Sequence, residues 1–190
     1  MKKLSENHIR ELQNTIITAQ LNYEICWALR EKNNRKRYVD TMNEYPNFFC
    51  TSIHAHFVAT VMALYKLYEK RKDTINLPKL VRTIKAESSI PPHDIATFEK
   101  EIEELKPLWV KISILRNNLF GHYSDSIENE MIWEKADLAY NQIKELIEGS
   151  KIIFNSIYSK WKKTQHAFNL SATADITNLL EDLGKFNNRL

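Results

Sequence analysis

The chain has 190 residues, 43% of them hydrophobic and 27% charged, with a formal net charge of +3. That length supports one domain, 1–190, with a real core, and the balance of apolar and charged residues excludes a disordered chain. So small a net charge does not by itself establish a nucleic-acid partner.

Only 3 glycines and 5 prolines occur, and helices are the architecture that needs fewest of either. No run approaches the roughly eighteen apolar residues of a bilayer span, and Met1 to Glu6 carries no apolar signal core. These features predict a cytoplasmic protein with no membrane association. Cys26 and Cys50 fall in separate predicted helices without C-x-x-C spacing, so both are expected as reduced thiols.

The first long helix is expected from about Ser5 to Lys32, where Ile9, Leu12, Ile16, Ala19, Tyr23, Cys26 and Trp27 form one apolar stripe. The polar stretch from Asn33 to Glu44 reads as a loop. Its basic run Lys32-Asn33-Asn34-Arg35-Lys36-Arg37 either touches phosphates or is simply solvated. Pro46 then suits the first turn of a second helix marked by Phe49, Ile53, Phe57, Val61, Leu64 and Tyr68. A short helix is expected near Leu77 to Lys85, followed by an irregular Ser88 to Pro92.

A third long helix should open near His93 and carry Ile95, Phe98, Ile102, Leu105, Leu108, Ile112, Leu115 and Leu119, with a kink or restart at Pro107. Gly121 is a natural stop for it, unless it ends earlier. The fourth helix is expected from Asn129 to Lys163, weakened near Gly149-Ser150. A short capped helix follows at about 175–186. The simplest architecture is all-α, an up-and-down four-helix bundle with additional short helices.

Arg116-Asn117-Asn118-Leu119-Phe120-Gly121-His122 is the most informative stretch. Arginine offers a permanently charged fork of donors for a phosphate, and histidine can take and give a proton near neutrality. On a continuous α-helix Arg116 and His122 would diverge by about 240°. They come together only if Gly121 releases the backbone or if the motif meets its copy across a symmetric dimer. The bland alternative is a helix terminus, with a cation favoured by the macrodipole and a glycine cap. Spacing alone leaves both readings open.

Other constellations carry less. His54 and His56 would point about 160° apart on a helix, which makes them poor joint metal ligands. Trp27, Trp109, Trp133 and Trp161 fall on or beside apolar stripes and read as core or interface rather than base-stacking platforms. No phosphate-cradling glycine loop, H-E-x-x-H or G-x-S-x-G occurs, so neither a cofactor nor a metal is expected.

The pattern R-N-x-x-x-x-H, here Arg116-Asn117 followed by His122, resembles the signature of the HEPN superfamily. Tyr45-Pro46-Asn47-Phe48-Phe49 and Leu64-Tyr65-Lys66-Leu67-Tyr68, with the helical order, resemble its AbiU-like branch, linked to abortive infection, over about Leu12 to Phe186. Tyr123, directly after His122, is a departure of unassigned effect. The resemblance implies a homodimer in which two motifs line one cleft, and a metal-independent endoribonuclease active as a toxin or in phage defence. His122 would be the general acid/base for attack by a ribose 2′-OH. Arg116 would hold the phosphate, and Asn117 would orient the pair. RNA would be the substrate, and an antitoxin or a nucleotidyltransferase a possible partner. The alternative is a non-catalytic helical module for dimerisation or for binding a partner or nucleotide.

Overall fold

The computed structural model describes residues 6–71, 73–120 and 129–187. Among these, α-helices account for nearly all regular structure, and no strand occurs. They are α1 (Glu6–Arg30), α2 (Lys32–Glu44), α3 (Pro46–Tyr68), α4 (Leu77–Ala86), α5 (Pro92–Leu115), α6 (Asn129–Ala136), α7 (Tyr140–Lys162) and α8 (Thr173–Asn187), with a π-helical turn at Arg116–Phe120.

The long helices α1, α3, α5 and α7 form the bundle, and side-chain pairs fix its directions. Cys26 meets the carbonyl of Ile53 and Asn22 meets His56, so α1 and α3 are antiparallel. Trp109 donates its indole N–H to the Tyr65 carbonyl while Phe120 reaches Phe57, which sets α5 against α3 in the same sense. Lys160 pairs with Asp94 at one end and Lys111 with Gln142 at the other, so α7 runs back along α5. Trp27 against Tyr140 and Lys162 against Glu6 close α7 onto α1. The result is the expected up-and-down bundle. Its core is built from the stripes read in the sequence, including Leu12, Ile16, Val61, Leu64, Ile112, Leu115, Phe154 and Ile157. α4 lies on α5 and α3, and α6 lies across α5 and the π-helical turn.

Four of the expected elements need correction. Residues 33–44 form α2 rather than a loop. The Glu31 carboxylate accepts from the N–H groups of Asn33 and Asn34, which starts the helix, and a second small core of Leu29, Tyr38, Phe49, Ile176 and Leu180 holds it against α8. The expected fourth helix is two helices. Asp137 takes a left-handed backbone (φ 43°), and Lys111 binds its carboxylate at 3.0 Å, so α6 turns onto α5 while α7 joins the bundle. Gly149-Ser150 does not weaken α7. A Cβ at Gly149 would lie 2.5 Å from a Leu105 methyl, and Ser150 accepts a hydrogen bond from Tyr68. Nor does Pro107 restart α5, which runs through it.

α3 is long and apolar enough to cross a bilayer by length and composition, contrary to the reading of the sequence, and 33% of its most apolar window is buried. Its buried Phe49, Phe57, Val61, Leu64 and Leu67 serve the core. Cys26 is buried and Cys50 exposed, both free, and burial pushes the Cys26 thiol up.

The segment between α7 and α8 straps the bundle closed. Asn155 exchanges hydrogen bonds with the backbone of His166, whose Nδ1 accepts from the Phe168 N–H, and Phe168 packs on Phe154. Glu24 on α1 then accepts from the Ala172 N–H at 2.7 Å and from the Ser171 hydroxyl at 2.8 Å, anchoring the start of α8. Glu24→Ala is expected to cost about 1–3 kcal/mol through these charge-assisted bonds. Hydrogen exchange should locate the loosening in residues 173–187, and unchanged protection there would refute the anchor.

Candidate active site

α5 ends where its backbone widens into the π-helical turn, and Arg116 opens that turn. Such turns take more residues than an α-helical turn, and they recur at functional sites. The rotation per residue of an ideal α-helix therefore does not hold through Arg116–Phe120. Asn118 donates to the Ile114 carbonyl at 2.8 Å, which supports the turn from inside.

The Arg116 guanidinium lies over the Tyr65 ring, 4.7 Å from its centroid, and Tyr65 in turn stacks on Trp109. Its Nη1 donates to Asn117 Oδ1 at 3.0 Å. Its Nε is buried without a hydrogen-bond partner among the described residues. A buried guanidinium N–H without an acceptor is costly, and an anionic oxygen is the acceptor that matches it best. Asn117 is exposed beside it. This end of α5 thus presents an arginine braced on an aromatic face and steered by a neighbouring amide.

At the other end of the turn, Phe120 packs against Phe57 and the exposed His54, each ring centroid 6.0 Å away. Beyond Phe57 come Trp133 at 5.5 Å and Tyr140 at 6.0 Å, and Tyr140 meets Trp27 at 5.3 Å. The Arg30 guanidinium lies 5.3 Å from the Tyr140 centroid. Burial, with the neighbouring Cys26, pushes the Tyr140 phenol above its ordinary range, so it stays protonated in this setting.

The AbiU2 model of the HEPN families matches residues 1–181. The chain belongs to the AbiU2 family. No curated protein and no solved structure matches it.

For this AbiU2 protein, the structure brings Arg116 and Asn117 together as a hydrogen-bonded pair. His122 and Gly121 lie outside the described residues. Among the described residues, no group of three or more His, Cys, Asp or Glu gathers as metal ligands. His54 and His56 separate as their spacing implied. His54 faces the π-helical turn, whereas His56 Nδ1 lies 2.7 Å from Asn22 Oδ1. Asn22 gives its own amide N–H to the Thr18 carbonyl, so its oxygen is the acceptor and His56 Nδ1 carries the proton.

Burial lowers the His56 pKa. The unfolded chain then binds a proton that the folded one resists, so stability falls as pH drops below about 6.5 and levels off beneath the folded value. His56→Gln should flatten the melting temperature across that window, and an unaltered slope would reject the assignment. Sequence reasoning weighed His54 only as a metal ligand and the tryptophans only as core or interface, and it did not single out Arg30 or the aromatic row. The helical stripe hid them, because Trp27, Phe57 and Tyr140 sit at core-like spacings. The usable signal was the four tryptophans, more than the core absorbs, since Trp27 remains 41% exposed and Trp133 42%.

Proposed function

We propose that this AbiU2 protein is a metal-independent endoribonuclease of the HEPN type, acting in the cytoplasm as a toxin or phage-defence protein. Arg116 carries the reading. Its buried Nε, without a partner among the described residues, and its Asn117-bound Nη1 suit the binding of a scissile phosphate, in a chain that belongs to a HEPN family associated with abortive infection.

In this mechanism His122 takes the proton from the ribose 2′-OH, and the freed oxygen attacks the adjacent phosphorus. Arg116 neutralises the charge that builds on the phosphate oxygens, and Asn117 holds the guanidinium in register. The P–O5′ bond breaks, and a proton returned to the leaving oxygen gives a 5′-hydroxyl beside a 2′,3′-cyclic phosphate. The need for a 2′-OH makes RNA the substrate. A homodimer pairing two motifs in one cleft fits the apolar groups left on the surface, such as Phe48 on α3, 60% exposed, and Val110 on α5. An antitoxin or a nucleotidyltransferase suits the neutralising partner.

The test is incubation with structured RNA under excess chelator, alongside a His122→Ala variant of equal thermal stability. Cleavage by the parent chain alone, leaving cyclic-phosphate ends, is the expected result. If neither protein cuts any of several RNAs, the motif reverts to a helix-terminal role and the fold to a dimerisation or partner-binding module.

A further inference from the structure

The row from Phe120 through Phe57 and Tyr140 to Trp27, with Trp133 beside Phe57, draws on five separate elements, namely the π-helical turn, α3, α7, α1 and α6. Its inner members are core residues. Its two indoles are not: Trp27 and Trp133 stay about two-fifths exposed while holding ring contacts at 5.3 and 5.5 Å. Burial of apolar area leaves that exposure unexplained, since an indole gains most when covered.

Charge marks the same edge. Arg30 sits over Tyr140, and Arg30 and Arg35 together line a cleft of about 360 Å³ beside Phe49, Cys50 and Ile53. At its other end the row begins in the very turn that carries Arg116. A ligand laid along it would meet a phosphate-seeking arginine first, then two partly exposed indoles, then two more arginines. Unpaired nucleotides have that alternation of anion and flat π-face, whereas a base-paired duplex keeps its faces stacked inside. An apolar protein segment would satisfy the indoles and leave the arginines without a matching charge.

We infer that Trp27 and Trp133 stack unpaired bases flanking the scissile phosphate, and that Arg30 and Arg35 hold the phosphates of that flank. The inference rests on the ribonuclease reading for its substrate, and it makes single-stranded or looped RNA the preferred class.

Binding, rather than cleavage, separates the two proposals. In a His122→Ala background, a fluorescent oligouridine should quench the tryptophan emission and bind more tightly than the same length of RNA duplex. Trp27→Leu and Trp133→Leu should each weaken that binding about tenfold. Arg30→Gln, at an exposed position, should weaken it as well and lower its dependence on salt. This last variant keeps the test open if an indole variant folds poorly, which circular dichroism would reveal. Unchanged affinity in all three variants, equal affinity for strand and duplex, or no RNA binding at all would overturn the subsite. In the first two cases, cleavage by the unmodified chain would leave the nuclease reading intact. Weakened binding in the variants, with no cleavage by the unmodified chain, would support the subsite and remove the nuclease.

Discussion

Replacing Arg116 by glutamine should lower RNA cleavage by about 10²–10³-fold, the usual penalty for deleting one preorganised donor to a developing anion. The fold should tolerate the change. What Arg116 loses to its surroundings is one contact over the Tyr65 ring and one hydrogen bond to Asn117, and the first is worth about 0.5–1 kcal/mol. The melting temperature should therefore move by only a few degrees. Arg116→Lys should recover little activity, because an ammonium on a flexible stem cannot span both Asn117 and a phosphate as a planar fork does. Cleavage by Arg116→Gln at the parent rate, measured on the same RNA, would show that the guanidinium takes no part in the chemistry.

The largest effect on stability is expected at Phe154. This residue is fully buried at the centre of α7, stacked on Tyr158 and set edge-on to Phe168, each 5.6 Å away. Phe154→Ala removes a core ring and undercuts the strap that Phe168 pins down, so the cost should reach about 3–5 kcal/mol. For a chain of this size that corresponds to roughly 6–20 °C in melting temperature. Phe154→Leu, which keeps most of the volume, should recover much of the loss. A thermal shift below about 2 °C for the alanine variant would mean that the site collapses freely and that the core lies elsewhere.

The bundle was legible because each long helix writes its buried face at steps of three and four, as Phe57, Val61 and Leu64 do on α3. α2 was not, because its polar composition resembles a loop. Its buried Tyr38 gains meaning only from Glu181 and Leu180, far away in the chain. The break at Asp137 was hidden for a related reason. A left-handed backbone at an aspartate leaves no mark as plain as a glycine, and a lysine on another helix sustains it.

At the candidate site, chemistry could be read and shape could not. Arg116 and Asn117 stood out by residue type, but the widening of their turn depends on the helices packed around it. The aromatic row went unseen because its members belong to five elements and become neighbours only after folding.

The strap carries a consequence for how the molecule is made. Among the described helices α1 leaves the ribosome before the others, and two of the elements that cover it, α7 and α8, emerge long after it. At ordinary rates of synthesis its apolar stripe waits roughly ten to thirty seconds for them. During that interval α3 is its main shelter, and the Glu24 anchor has nothing to hold. Tyr140, at the head of α7, also arrives late, so the row beside Arg116 is completed only after α1, α3 and α5 have emerged. A nascent chain therefore lacks the full surface, and the ribosome that builds it works beside an unfinished tool.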